Sequence, residues 1–116
     1  MFGLDEAFRN SLQGLAHALR SERAIQQEAT VLLVAAPVAY VLGTSALERA
    51  LLIACLLLLI AVELLNTCVE KLCDHVTPSL NPRIKAVKDM GSAAVFCAML
   101  ACGLCWAAAV AERLGL

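Results

Sequence analysis

Charged side chains are scarce in this chain, and their scarcity limits the class of protein that it can be. Asp, Glu, Lys and Arg make up 16% of the 116 residues, against about 25% in a typical soluble domain. Apolar residues make up 61%, which is more than a chain of this size can bury in one core. The composition therefore argues against a soluble domain and favours a membrane protein. The net charge of −1 provides no broad basic surface, so nucleic acid is not a predicted partner.

The familiar motifs of nucleotide and zinc sites are also absent. The sequence has no glycine-rich phosphate-binding loop and no motif of the soluble kinases. Its six cysteines lack the Cys and His spacing of a zinc site, and we expect them to be small packing residues in apolar segments. Cys102 and Cys105 have the spacing of a redox pair, but no base or cation follows or precedes them closely enough to favour a thiolate. Any nucleotide site must therefore be built from other groups.

Three apolar segments are long enough to cross a bilayer, which takes about 20 residues. Residues 29–47 and 91–111 carry no charge, and Glu63 is the only charged residue between 50 and 69. We expect an all-α membrane protein with a single domain over residues 1–116 and transmembrane helices at about 29–47, 50–70 and 91–111. Pro37 lies inside the first of these helices, where a spanning helix tolerates it.

Two further segments are expected to lie outside the bilayer. Apolar residues recur at helical spacing before the first span, and they predict an amphipathic helix at about 5–21 on the inner membrane surface. Residues 77–82, TPSLNP, contain two prolines and several turn-forming residues, which predicts a cytoplasmic loop at 76–87.

The basic residues predict the orientation of the chain. Seven of the nine Lys and Arg residues either precede the first span or lie between the second and third spans. By the positive-inside rule, the N-terminus and the 71–90 region are cytoplasmic and the C-terminus is outside.

Glu63, Asn66 and Glu70 form a polar stripe at the end of the second span. Their spacings, i, i+3 and i+7, place them on one face of a helix. An ionisable group inside a membrane costs on the order of 3 kcal/mol, so such a residue is a candidate functional site. Helix rise is about 1.5 Å per residue, so Glu63 lies about 10 Å deeper than Glu70. This depth suits Glu63 as a general base for a membrane-bound hydroxyl and Glu70 as a metal ligand facing water.

Two other polar clusters are predicted to reach the same membrane boundary. Glu22 and Glu28 precede the first span, and Lys88 and Asp89 precede the third. Carboxylate and amide oxygens suit magnesium, which usually takes one or two carboxylates together with substrate phosphates, and a nearby lysine suits a phosphate. Phosphoryl transfer requires such groups to bind a metal ion and a phosphate.

Two alternatives compete with this interpretation. The polar stripe could hold helices together through hydrogen bonds, or Glu63 could belong to a proton or cation pathway in a protein without catalytic activity. The lysine and the loop favour a kinase, because an ion pathway has no need of a phosphate site.

The same residues resemble those of the small integral-membrane diacylglycerol kinase family of bacteria. The similarity runs from about Ser11 to Ala111, and its strongest parts are VELLNTCVEKLCD at 62–74 and KDMGSAAV at 88–95, with ERAIQQE at 22–28 in support. The resemblance implies a homotrimer in the bacterial inner membrane that transfers the γ-phosphate of ATP, with Mg²⁺, to diacylglycerol. A related branch of the family phosphorylates undecaprenol, which remains the alternative substrate.

The resemblance also implies roles for individual residues. Glu63 is the implied proton acceptor, and Glu22 and Glu70 are the implied metal ligands. The implied nucleotide contacts are Asn10, Glu22, Asn66, Glu70, Ser79, Leu80, Asn81, Lys88 and Asp89. The residues implied to lie near the lipid substrate are Glu63, Ser92, Arg49 and Gln27. The sequence departs from the family pattern at Gln26, where Arg is usual, at Asn81, where His is common, and at Gly3, where Arg is expected.

Overall fold

The computed structural model describes residues 3–77 and 79–116, and this part of the chain is entirely helical apart from its connections. Four helices follow one another: α1 at Leu4–Ser21, α2 at Arg23–Leu42, α3 at Ala46–Val76 and α4 at Pro82–Arg113. The helices α2, α3 and α4 are each long and apolar enough to cross a membrane. The prediction of an all-α membrane protein with an N-terminal helix and three spanning helices is therefore confirmed.

The first helix has the amphipathic pattern that its sequence predicts. Phe8, Leu12 and Leu15 are exposed on α1, while Ala18 is buried against the rest of the chain. The backbone turns at Glu22, which has an extended conformation between α1 and α2. The Gln26 side chain donates a hydrogen bond of 2.9 Å to the Leu19 carbonyl and so ties the start of α2 to the end of α1. The exposed apolar face of α1 is available to a membrane surface.

The first spanning helix has different ends from those predicted by the apolar segment. It begins at Arg23 instead of 29, and it ends at Leu42, so the prediction of a helix up to residue 47 is wrong. The chain leaves the helical conformation at Gly43, and the Ser45 side chain then accepts a hydrogen bond from the Glu48 amide and caps α3. A capping residue of this kind starts a new helix inside what is otherwise an apolar run.

The loop between α3 and α4, predicted at 76–87, is shorter than predicted. The third helix continues to Val76 and α4 starts at Pro82, so residues 82–87 are helical and do not belong to a loop. The Asn81 side chain accepts hydrogen bonds from the amides of Arg83 and Ile84, and proline at the first helical position already has the backbone angle of a helix. Lys85, Lys88 and Asp89 are consequently held on a helix above the apolar segment.

The spanning helices bury little of their surface within one chain. Ala39, Leu52 and Ala109 form a small buried cluster, and the Trp106 indole N–H donates a hydrogen bond of 3.2 Å to the Leu52 carbonyl. At most 17% of the residues in the apolar part of any spanning helix are buried. The remaining apolar surface is therefore available to lipid or to neighbouring chains.

All six cysteines are free. Cys102 has its sulfur contact with Cys55 on another helix, and not with Cys105, the residue at redox spacing in the sequence. The Cys102 sulfur lies 3.1 Å from the sulfur of Cys55 on α3, whereas Cys105 is exposed on the surface of α4. The contact between Cys102 and Cys55 helps to join α3 to α4 through small side chains.

Candidate functional site

Asn66 and Glu70 form the centre of the candidate site, at the end of α3 where the apolar run gives way to charged residues. The Asn66 amide nitrogen donates a hydrogen bond of 2.8 Å to a Glu70 carboxylate oxygen. Asn66 is only 7% exposed, whereas Glu63, about one turn deeper on the same face, is half-buried. The carboxylates of Glu63 and Glu70 are close enough for their charges to interact. The helical spacing thus brings the three polar groups of the stripe onto one side of α3.

Gly91 of α4 lies directly against the Asn66 side chain. A methyl group added at Gly91 would overlap the side-chain amide oxygen of Asn66, so only glycine permits this approach. The same oxygen is buried and has no hydrogen-bond partner among the residues that the structure describes. No role for Gly91 is predicted from the sequence, although a glycine inside a long helix is a signal of close packing.

Glu22 reaches the same end of α3 from the junction of α1 and α2. Its carboxylate lies 3.3 Å from the ammonium group of Lys71, the residue that follows Glu70. One turn into α2, Glu28 has a buried carboxylate oxygen without a partner among the described residues, and its charge interacts with that of Glu63. Carboxylates from two regions of the chain therefore gather around one face of α3.

Lys88 approaches α3 from the other side, on α4. Its ammonium group donates a hydrogen bond to the carboxylate of Asp74, and the two side chains form an ion pair. Lys88 precedes the uncharged segment of α4, and the hydrogen bond to Asp74 raises the pKa of its ammonium group above the ordinary value. The Asp89 carboxylate instead forms an ion pair with the ammonium group of Lys85 on the same helix, at 2.7 Å. The Lys88 ammonium group is thus held beside the last turns of α3.

Arg49 is the predicted site residue that the chain does not bring to this region. It lies fourteen positions before Glu63 on α3, which corresponds to about 21 Å along the helix. Its side chain donates a hydrogen bond of 2.9 Å to the Tyr40 carbonyl and lies over the Tyr40 ring, with 4.6 Å between the guanidinium carbon and the ring centre. Within one chain, Arg49 joins the ends of α2 and α3 at the opposite side of the membrane span.

The remaining predicted residues are exposed or make only local contacts. Asn10, Gln27 and Ser92 are exposed on α1, α2 and α4. In the connection between α3 and α4, the Ser79 hydroxyl lies 2.9 Å from that of Thr77, and Leu80 is fully exposed. Asn81 uses its side-chain oxygen to cap α4.

The donor atoms at this end of the bundle fit a magnesium ion that arrives with a phosphate ligand. Among residues 3–77 and 79–116, no three His, Cys, Asp or Glu side chains form a closed metal site. Magnesium seldom uses such a cage and is usually held by one or two carboxylates together with substrate phosphates. Glu22 and Glu70 supply two carboxylates, and Asn66 supplies a buried carbonyl oxygen without a partner.

Comparison with known proteins gives consistent matches over most of the chain. The sequence model of the family described as prokaryotic diacylglycerol kinase matches residues 9–110. A diacylglycerol kinase of Pseudomonas aeruginosa is 44% identical over 97 residues, which cover 84% of this chain and 79% of the relative. A diacylglycerol kinase of Haemophilus influenzae is 36% identical over 96 residues, covering 83% of this chain and 81% of the relative. For the diacylglycerol kinase of Escherichia coli K12, the identity is 35% over 96 residues, covering 83% and 79%.

Proposed function

Because the chain belongs to the prokaryotic diacylglycerol kinase family, we propose that it transfers the γ-phosphoryl group of ATP to the hydroxyl of diacylglycerol and produces phosphatidic acid. The observation that carries this proposal is the polar stripe of α3, which stands beside Glu22 and Lys88 where the apolar segment ends. Carboxylates suit a metal and a proton acceptor, and a lysine suits a phosphate. Phosphoryl transfer depends on positioning and charge stabilisation by such groups.

Glu63 is the proposed general base. It lies about 10 Å deeper than Glu70 along α3, at a level that the hydroxyl of a membrane lipid can reach. Its carboxylate accepts the proton of that hydroxyl while the oxygen attacks the γ-phosphorus, and the bond to the β-phosphate oxygen breaks. Glu63 is half-buried, so the reacting hydroxyl is partly shielded from water.

Glu22 and Glu70 are the proposed ligands of Mg²⁺, which enters with ATP. When bound, magnesium neutralises charge on the phosphates. Asn66 holds Glu70 in place through its hydrogen bond, and Lys88 offers its ammonium group to a phosphate. The other proposed nucleotide contacts are Asn10, Ser79, Leu80, Asn81 and Asp89.

The lipid is proposed to enter from the bilayer along the face of α3 that carries Glu63. Gln27 and Ser92 lie in the N-terminal halves of α2 and α4. In the orientation that we propose, these halves are nearer the cytoplasm, where a lipid headgroup would stand. Arg49 contributes to lipid binding only if a neighbouring chain supplies it to this site or if the far end of the bound lipid reaches it. We place the protein in the bacterial inner membrane with the N-terminus and the 71–90 region in the cytoplasm and the C-terminus outside, in accordance with the distribution of basic residues.

A lipid kinase assay tests this function directly. The purified chain is incubated in lipid vesicles with ATP labelled at the γ-phosphate, Mg²⁺ and either diacylglycerol or undecaprenol. We expect the label in phosphatidic acid. Label transferred to undecaprenol alone would identify an isoprenoid-alcohol kinase instead. A chain that labels neither lipid would contradict the kinase proposal and would favour a membrane protein without catalytic activity, such as an ion pathway.

Removal of either proposed metal ligand is expected to weaken the use of ATP. In Glu22→Ala and Glu70→Ala, the KM for Mg-ATP should rise, because one of two carboxylates that hold the metal is lost, and excess Mg²⁺ should restore part of the activity. The measurement is a magnesium titration of the kinase rate at fixed ATP. Glu6→Ala, which removes an exposed carboxylate from α1, is the control. Unchanged magnesium dependence in both site variants would disprove the proposed metal site.

We also propose that three chains assemble into a symmetric homotrimer. The spanning helices leave most of their apolar surface exposed in one chain, and a closed ring of identical subunits would cover part of it with equivalent interfaces. If each site draws groups from two chains, mixed assemblies of Glu63→Gln and Glu70→Ala subunits should recover activity that neither variant has alone. A fully active monomer in mild detergent would contradict the assembly. No recovery in verified mixed assemblies would place each site within one chain.

A further inference from the structure

The last turns of α3 carry two charged residues that have no role in the mechanism above. Lys71 and Asp74 are three positions apart, so they lie on neighbouring positions of one helix face. Each forms an ion pair with a residue of the proposed site from a different part of the chain. Lys71 pairs with Glu22 at the start of α2, and Asp74 pairs with Lys88 on α4. The end of α3 therefore provides an opposite charge both for a proposed metal ligand, Glu22, and for the proposed phosphate-binding residue, Lys88.

We propose that Lys71 and Asp74 are exchangeable counter-ions of the kinase site. Lys71 holds the Glu22 carboxylate until a divalent cation replaces it, and Asp74 holds the Lys88 ammonium group until a nucleotide phosphate replaces it. The inference rests on the proposed function, because it concerns how the same site keeps its charges balanced before Mg-ATP binds.

The distribution of charge around Glu22 explains why a counter-ion is needed. Four carboxylates, those of Glu22, Glu28, Glu63 and Glu70, lie in this part of the chain, and the charge of Glu63 repels those of Glu28 and Glu70. Among the residues that the structure describes, Lys71 is the only cation within ion-pair distance of any of the four. Without Lys71, the Glu22 carboxylate, whose side chain is 21% exposed, would have no ion-pair partner within the described part of the chain. Lys71 thus holds Glu22 against the last turns of α3, where Glu70 also lies.

Both ion pairs are exposed enough to be replaced readily. The Lys71 side chain is 58% exposed and that of Asp74 is 64% exposed. Ion pairs at such positions are weak, so each should reduce the affinity of its competing ligand by only about two- to fivefold. The two effects are separate: Lys71 competes with the metal, and Asp74 competes with the phosphate.

Binding measurements on the full chain in lipid vesicles test the exchange without relying on catalysis. Binding of Mn²⁺ alone is followed by electron paramagnetic resonance, and binding of a non-hydrolysable ATP analogue is measured at saturating Mg²⁺. We expect Lys71→Met to tighten Mn²⁺ binding about two- to fivefold and Asp74→Asn to tighten binding of the analogue by a similar factor. The conservative variant Lys71→Arg, which keeps the ion pair, should bind Mn²⁺ as the unmodified chain does.

The matched control is Arg83→Met, which removes a positive charge from the first turn of α4, where Arg83 forms no ion pair within the described part of the chain. If Arg83→Met tightens Mn²⁺ binding as much as Lys71→Met, the effect belongs to the overall charge and the inference is wrong. Unchanged or weaker binding in Lys71→Met and Asp74→Asn, with normal binding by the unmodified chain, would overturn the inference alone. An unmodified chain that binds no nucleotide would overturn the proposed function as well.

Discussion

Replacement of Glu63 by Gln is expected to lower turnover by about 10²–10⁴-fold, the usual contribution of a general base. Glutamine has nearly the same shape as glutamate and still forms hydrogen bonds, but it cannot accept the proton of the lipid hydroxyl. Glu63 lies two turns deeper than Glu70, so the change should leave the proposed metal and nucleotide contacts in place. The measurement is kcat with diacylglycerol, together with the affinity for a non-hydrolysable ATP analogue, which should stay near that of the unmodified chain.

Two further variants make this experiment selective. Glu112→Gln removes an exposed carboxylate near the far end of α4 and should leave kcat unchanged. Glu28→Gln tests the other carboxylate near Glu63, since Glu28 has a buried oxygen without a partner among the described residues. Near-normal turnover in Glu63→Gln would exclude it as the base. If Glu28→Gln instead caused the large loss, the proton acceptor would be Glu28.

The helices themselves could be predicted from the sequence, but their ends could not. Long apolar runs report the part of a helix that lies in lipid, and that part is recognised by length alone. The helix continues into water wherever caps and hydrogen bonds support it. Asn81 and Pro82 start α4 well before the apolar run begins, and Gly43 and Ser45 divide an apolar run between α2 and α3. Such capping residues can be read in the sequence, but the length of an apolar run does not reveal where they begin or end a helix.

Contacts between site residues on the same helix could be predicted from the sequence, but contacts between residues on different helices could not. Helical periodicity places Asn66 beside Glu70, and the structure has a hydrogen bond between them. The pairing of Lys71 with Glu22 depends on how the helices pack, which periodicity does not determine. In sequence, Lys71 contributes only to the count of basic residues that sets the orientation. The contact between Gly91 and Asn66 is of the same kind, because it requires the register of α4 against α3.

Replacement of Gly91 by Ala is expected to disturb both stability and catalysis. The new methyl group would overlap the side-chain amide oxygen of Asn66, so either α4 or the Asn66 side chain must move. Overpacking of this kind costs about 1–3 kcal/mol. Because Asn66 also holds Glu70, a displacement of about 1 Å at the site should lower kcat on the order of 10²-fold. The measurements are the lipid kinase rate and the thermal midpoint of unfolding in mild detergent.

A double-mutant cycle separates the contact with Asn66 from other effects of alanine on the helix. Gly103→Ala is the matched control, since a methyl group there meets nothing within 4 Å among the described residues, and it should not lower the midpoint. In an Asn66→Ala background, the opposing oxygen is absent, so adding Gly91→Ala should no longer reduce stability. Equal destabilisation by Gly91→Ala in both backgrounds would show that the methyl group meets something other than Asn66. The proposed role of Gly91, which is to let α4 approach the amide that orients Glu70, would then be wrong.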